Sequence, residues 1–137
     1  MSDKTSVIRG PKNLLVKTRN LARTMTTGTQ VATLPKGSRI LYFVVEGTAS
    51  NAGTTATIGI GTTAAANQLV TGFDVKTAAT GNGPTMPAMV AGTGGNVLTV
   101  DTPIYFIYAE TGGASSAGAW KVSIVYTTGN VLNDTTI

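Results

Sequence analysis

The chain has 137 residues, a formal net charge of +4, and neither cysteine nor histidine. Without cysteine there is no disulfide, thiol nucleophile or cysteine zinc site; without histidine the commonest metal ligand and the best-suited proton carrier near neutral pH are missing. The length is that of one domain, able to bury about two-thirds of its unfolded surface.

Twenty-five threonines, seventeen glycines and sixteen alanines dominate the composition. Threonine favours strands and glycine favours turns, which points to small side chains on closely packed sheets. Charged residues make up only 12%, about half the usual share, so Thr, Ser, Asn and Gly must cover much of the surface. The charge is also uneven. Residues 1–39 hold eight Lys/Arg against one Asp, and residues 40–137 hold two Lys against five acidic groups. A basic front on a weakly acidic body results. No apolar run approaches the ~20 residues of a membrane-spanning helix, and no long apolar segment follows Met1-Ser-Asp-Lys4 as in a secretory signal.

Residues 1–24 read as a basic N-terminal arm, interrupted by Gly10-Pro11, a pair that punctuates structure. Within it Leu14, Val16 and Thr18 alternate as a strand, while Leu14, Lys17 and Leu21 form a thinner helical stripe; the strand is the better reading. A β domain is expected over residues 25–127. Gln30–Leu34 is a short strand stopped by Pro35-Lys-Gly37. In Arg39–Glu46, Leu41, Phe43 and Val45 alternate with Ile40, Tyr42 and Val44; with both faces apolar, the strand should be central or covered by another subunit. Thr55–Gly61 is a strand whose glycines suggest a bend or a close backbone approach. Gln68–Thr77 alternates moderately. After the loop 78–87, residues 89–100 hold one or two short strands broken by Gly92-Thr-Gly-Gly95.

Two strong signals follow. Thr102–Ala109 is apolar on both faces, and Ala119–Thr127 places Trp120, Val122, Ile124 and Tyr126 on one face. The turn-rich stretch between them predicts a hairpin. Residues 128–137 form a polar tail. The expected core is Leu41, Phe43, Val45, Ile58, Ile60, Leu69, Phe73, Ile104, Phe106, Trp120, Val122 and Ile124. With seven to nine short strands and no helix, the fold class is an all-β antiparallel sandwich, with a jelly roll as its commonest route.

Little in the chain suggests chemistry. Neither glycine cluster runs from a strand into a helix with a following Lys-Ser/Thr, so both read as turns rather than phosphate loops. The six carboxylates are scattered. A glycosidase pair would need two of them about 5–9 Å apart, and Glu46 with Glu110 is the one pair that neighbouring strands could bring near. Ser115 and Ser116 sit among glycines, where turn chemistry accounts for them. No cofactor and no metal site is expected. The basic residues Lys4, Arg9, Lys12, Lys17, Arg19 and Arg23, with Leu14 and Val16, are the candidate docking set for an acidic protein surface. Nucleic acid is not the expected partner, since no aromatic precedes Tyr42 to provide a stacking platform. Tyr42, Phe43, Tyr105, Phe106 and Trp120 are expected in the core or at an interface, and because two strands are apolar on both faces, a dimer or trimer is expected.

Four stretches carry a resemblance to a known family: Thr33–Leu41, Ala56–Thr62, Leu98–Tyr105 and Gly118–Tyr126. Over about residues 30–127 the chain resembles the small capsid decoration or cement proteins of tailed bacteriophages. The resemblance implies a non-enzymatic jelly-roll-like domain bound to the major capsid protein on the outer surface of the virion head. An alternative from another class is a carbohydrate- or receptor-binding module of a phage fibre or spike, which would use Tyr42, Tyr105 or Tyr108.

Overall fold

The computed structural model describes residues 14–76 and 84–128. Seven strands run in chain order: β1 Leu14–Ala22, β2 Thr29–Leu34, β3 Arg39–Thr48, β4 Thr55–Gly61, β5 Val70–Asp74, β6 Thr102–Thr111 and β7 Ala119–Thr127. They form two antiparallel sheets, ordered β1-β7-β3 and β2-β6-β4-β5. The sheets pack face to face as a β-sandwich, and no helix occurs among the described residues.

The two strongest strands of the sequence each lie inside a sheet. β7 buries Trp120, Val122, Ile124 and Tyr126 at the period of two that its sequence shows. β6 buries Thr102, Ile104, Phe106 and Tyr108, with Pro103, Tyr105 and Ile107 half-buried on its other side. These strands are not a hairpin, contrary to the sequence expectation, because each belongs to a different sheet. Two broad apolar faces are hidden better by stacking than by lying side by side. The residues 112–118 are enough to cross the ~10 Å between packed sheets. Gly112 (φ 81°) and Gly118 (φ 132°) supply backbone conformations at the two ends of that crossing which other residues rarely adopt.

β3 also departs from expectation. It is an edge strand, and the register shifts between Ile40 and Tyr42. A bulge reverses the facing of what precedes it. Ile40 is therefore buried with Phe43 and Val45, while Leu41, expected in the core, is 37% exposed. The free edge of β3 is covered by residues 84–100. Val45 and Thr85 exchange backbone hydrogen bonds of 2.7 and 2.8 Å, and the Gly95 N–H donates to the Ile40 carbonyl. The strands expected in 89–100 are replaced by turns and an isolated bridge from Val97 to Arg39. Gly92 (φ 83°) and Gly95 (φ 79°) interrupt any ladder there.

Leu14–Ala22 is a strand, as the better of the two sequence readings has it. It pairs with β7 over nine positions, and Leu21 is buried in the core. The segment from Leu14 therefore belongs to the sandwich, and the arm boundary expected at residue 24 falls after this strand. The remainder of the arm, residues 1–13, and the tail 129–137 lie outside the described residues. Of the expected core, Phe73 is only partly buried at its margin.

The glycines of β4 mark a close approach of backbones. The segment 62–69 turns back over the outer side of the four-stranded sheet, where Gly59 and Gly61 face it. A β-carbon on Gly59 would lie 2.2 Å from the Ala66 carbonyl oxygen. Gly59→Ala should therefore destabilise the fold by about 1–3 kcal/mol, the usual cost of overpacking, read as a lower urea midpoint at unchanged m-value.

Candidate functional site

The outward side of the β1-β7-β3 sheet carries exposed apolar residues. Pairing register aligns Val16, Val125 and Tyr42 in one row across it, and Leu14, Thr127 and Arg39 in the next. Val97, bridged to Arg39, extends the second row onto the covering segment. Thr18, Ser123 and Val44 form a third row, with the two hydroxyls 3.1 Å apart. Val125 is buried between its neighbours, whereas Leu14 is 49%, Val16 57% and Val97 40% exposed. One end of the face is thus an apolar strip.

The other end of the same face is a concavity of about 700 Å³. Its two rows are Asn20–Lys121–Glu46 and Ala22–Ala119–Thr48. The small side chains of the second row and the longer polar ones of the first line it together with Leu21, Gly47 and Trp120. The face therefore passes from an exposed apolar strip to a hollow whose largely apolar lining is edged by Asn20, Lys121 and Glu46. That profile suits contact with another macromolecular surface.

The sequence-derived site residues divide on this geometry. Leu14, Val16 and Tyr42 come together in the strip. Lys17 and Arg19 occupy the opposite side of β1, and Arg19 Nε donates to the Val31 carbonyl at 2.9 Å, tying β1 to β2. Arg23 Nη1 donates to the Ser115 carbonyl at 3.1 Å, holding the crossing loop. Phe43, Phe106 and Trp120 are core residues. Tyr105 is half-buried on the outer side of the other sheet, away from Tyr42. Lys4, Arg9 and Lys12 lie outside the described residues. Sequence reasoning missed Val44 and Val125 as surface-row members. Alternation along β3 and β7 carried that signal, but only once the buried side was known.

A second cluster gathers where the chain crosses between sheets. The Tyr108 ring stacks on Trp120 with centroids 5.4 Å apart, joining the two sheets. Its hydroxyl donates to Glu110 Oε1 at 2.9 Å and lies 2.6 Å from Ser50 Oγ. Ser115 Oγ donates to the same carboxylate oxygen at 2.6 Å, and the Ser115 N–H also points at the carboxylate. Asn51 adds a further clasp, accepting from the N–H groups of Ser116 and Ala117.

These contacts make Glu110 a poor base. The Ser115 hydroxyl first, then the Tyr108 hydroxyl, stabilise its anion and hold its pKa below the ordinary 4.5. The hydroxyls are spent on that anion, so the cluster fastens the crossing loop. Glu46 belongs to the other sheet, so the two carboxylates are not cross-strand neighbours. With Tyr108 fully buried and Trp120 nearly so, neither ring offers a face to a sugar. No group of three or more Asp or Glu is placed to hold a metal among the described residues.

Two outcomes follow for this cluster. Tyr108→Phe should cost about 1–3 kcal/mol of stability by leaving buried Ser50 and the carboxylate short of a partner, measurable by urea unfolding. A carboxyl with a depressed folded pKa adds stability that is fully present above about pH 4.5 and is lost as pH falls through the folded value. Wild-type stability should thus fall more steeply below pH 4.5 than that of Glu110→Gln in parallel acid unfolding series.

Comparison with known proteins adds one relation of fold. No protein-family model matches the chain, and no curated protein does. A chain of the cyanophage Pam1 capsid asymmetric unit is similar, with a TM-score of 0.58 and 19% identity. The match covers 92% of this chain and 94% of that one. The likeness is end to end, and the two chains are close in length.

Proposed function

We propose that this chain is a non-enzymatic decoration, or cement, protein that binds the major capsid protein on the outer surface of a phage head and stabilises the shell. The observation that carries this reading is the end-to-end likeness to a chain of similar length within a phage capsid asymmetric unit. A match over the whole of a short chain favours a small separate component over a domain within a large shell subunit. The open face of the β1-β7-β3 sheet supports it, since a protein that works by adding interface needs such a surface. The strand order also supports a jelly-roll reading, with residues 84–100 in the place of an eighth strand beside β3.

The physical action is linkage. A protein that binds the mature lattice and not its disrupted form shifts the equilibrium towards the intact shell. Each copy contributes modestly, and repetition over a symmetric shell sums the contributions. The basic residues Lys4, Arg9 and Lys12 would add long-range attraction to an acidic lattice, screened beyond about 8 Å in physiological salt. Heads carrying the protein should survive heating and osmotic shock at settings that burst heads lacking it, as counted by released DNA. Equal survival of the two would remove the cementing role.

A further inference from the structure

We infer that the docking surface is the outer side of the β1-β7-β3 sheet, and that its occupant is an apolar patch of a capsid subunit bordered by carboxylates. This inference rests on the shell-binding reading above and assigns the face that performs it. Three observations choose the face.

The first is coverage. On the four-stranded sheet, segment 62–69 already lies against β4, with the backbone of Ala66 and Asn67 in contact distance of Gly59 and Gly61. Ala66, Gly59 and Gly61 are all buried there. Among the described residues no comparable segment crosses the outer rows of β1, β7 and β3. The second is apolar exposure. Leu14, Val16 and Val97 fall in adjacent rows at one end of this face, and the bulge leaves Leu41 exposed beside Tyr42. Contiguous exposed apolar residues on a small domain mark an interaction surface more often than isolated ones do.

The third observation is charge, and it selects the occupant. Residues 1–13 join the sheet at Leu14, within the strip, and carry Lys4, Arg9 and Lys12 against Asp3 alone. Arg39 stands in the same row as Leu14. A second copy meeting this face about a two-fold axis would set the same patch against itself. With that axis through the apolar strip, Arg39 would meet Arg39, with the net positive charge of residues 1–13 added on both sides, and like charges across an interface are costly. A partner with an apolar centre and an acidic border has no such conflict. The concavity between Asn20–Lys121–Glu46 and Ala22–Ala119–Thr48 would then receive a narrow protruding element of that partner, with Lys121 at its edge.

The test uses the full chain and empty shells assembled from the capsid protein encoded with it. Val16→Asp places a charge at an exposed position of an edge strand, and Val16→Ala removes apolar area alone. Ala109→Asp makes the matching change on the outer side of the other sheet, where Ala109 is exposed. Circular dichroism and melting would establish that all three fold. Val16→Asp should weaken shell binding at least tenfold and Val16→Ala severalfold, while Ala109→Asp binds as wild type does. If wild type binds and both Val16 variants bind equally well, this face is not the docking surface, although shell binding stands. If Val16→Asp keeps shell binding but loses self-association in sedimentation, the face is a copy-to-copy interface and the inference is overturned. If wild type does not bind the shells, the functional reading falls, and this inference with it.

Discussion

The stack of Tyr108 on Trp120 holds the two sheets together where the chain passes from one to the other. Tyr108 closes the buried run of β6, and Trp120 opens that of β7, so the sheets are joined at the point of crossing. The aromatic pair supplies apolar area and a preferred offset geometry. The hydroxyl of the same tyrosine then binds Glu110, which gathers Ser115 and with it the crossing loop. The joint sits on both central strands, since β6 and β7 each hold two neighbours in register.

From that joint the asymmetry of the two outer surfaces follows. β7 enters its sheet between β1 and β3, and among the described residues the segment 84–100 closes the β3 edge. β6 lies between β2 and β4, whose glycines admit the segment 62–69 over the sheet. One side of the sandwich is thus partly covered by its own chain at β4, and the other presents Val16, Tyr42 and Val44. The proposed shell contact uses the face that no segment crosses among the described residues. The arginines that sequence reasoning grouped with this contact do other work: Arg19 bridges the sheets at one edge and Arg23 steadies the crossing loop.

The sequence by itself determined the fold class and most of the core. Alternation over Ala119–Thr127 and Thr102–Ala109, glycine-rich turns and the absence of helical periodicity are local signals, and the strands and buried sides followed from them. The sequence also limits the chemistry available, because a chain without histidine or cysteine and with six scattered carboxylates has few catalytic options. The tertiary structure decided what depends on pairing. Whether β6 and β7 lie side by side or face to face depends on which partners compete for their edges, and no local pattern encodes that choice. The bulge at Leu41 is likewise invisible in the sequence, since Arg39–Glu46 is apolar at every intermediate position and either phase of alternation buries enough. The candidate binding face emerged only after pairing register set Leu14, Val16, Tyr42 and Val97 in adjacent rows, because these residues are distant in the chain and become neighbours through backbone hydrogen bonds.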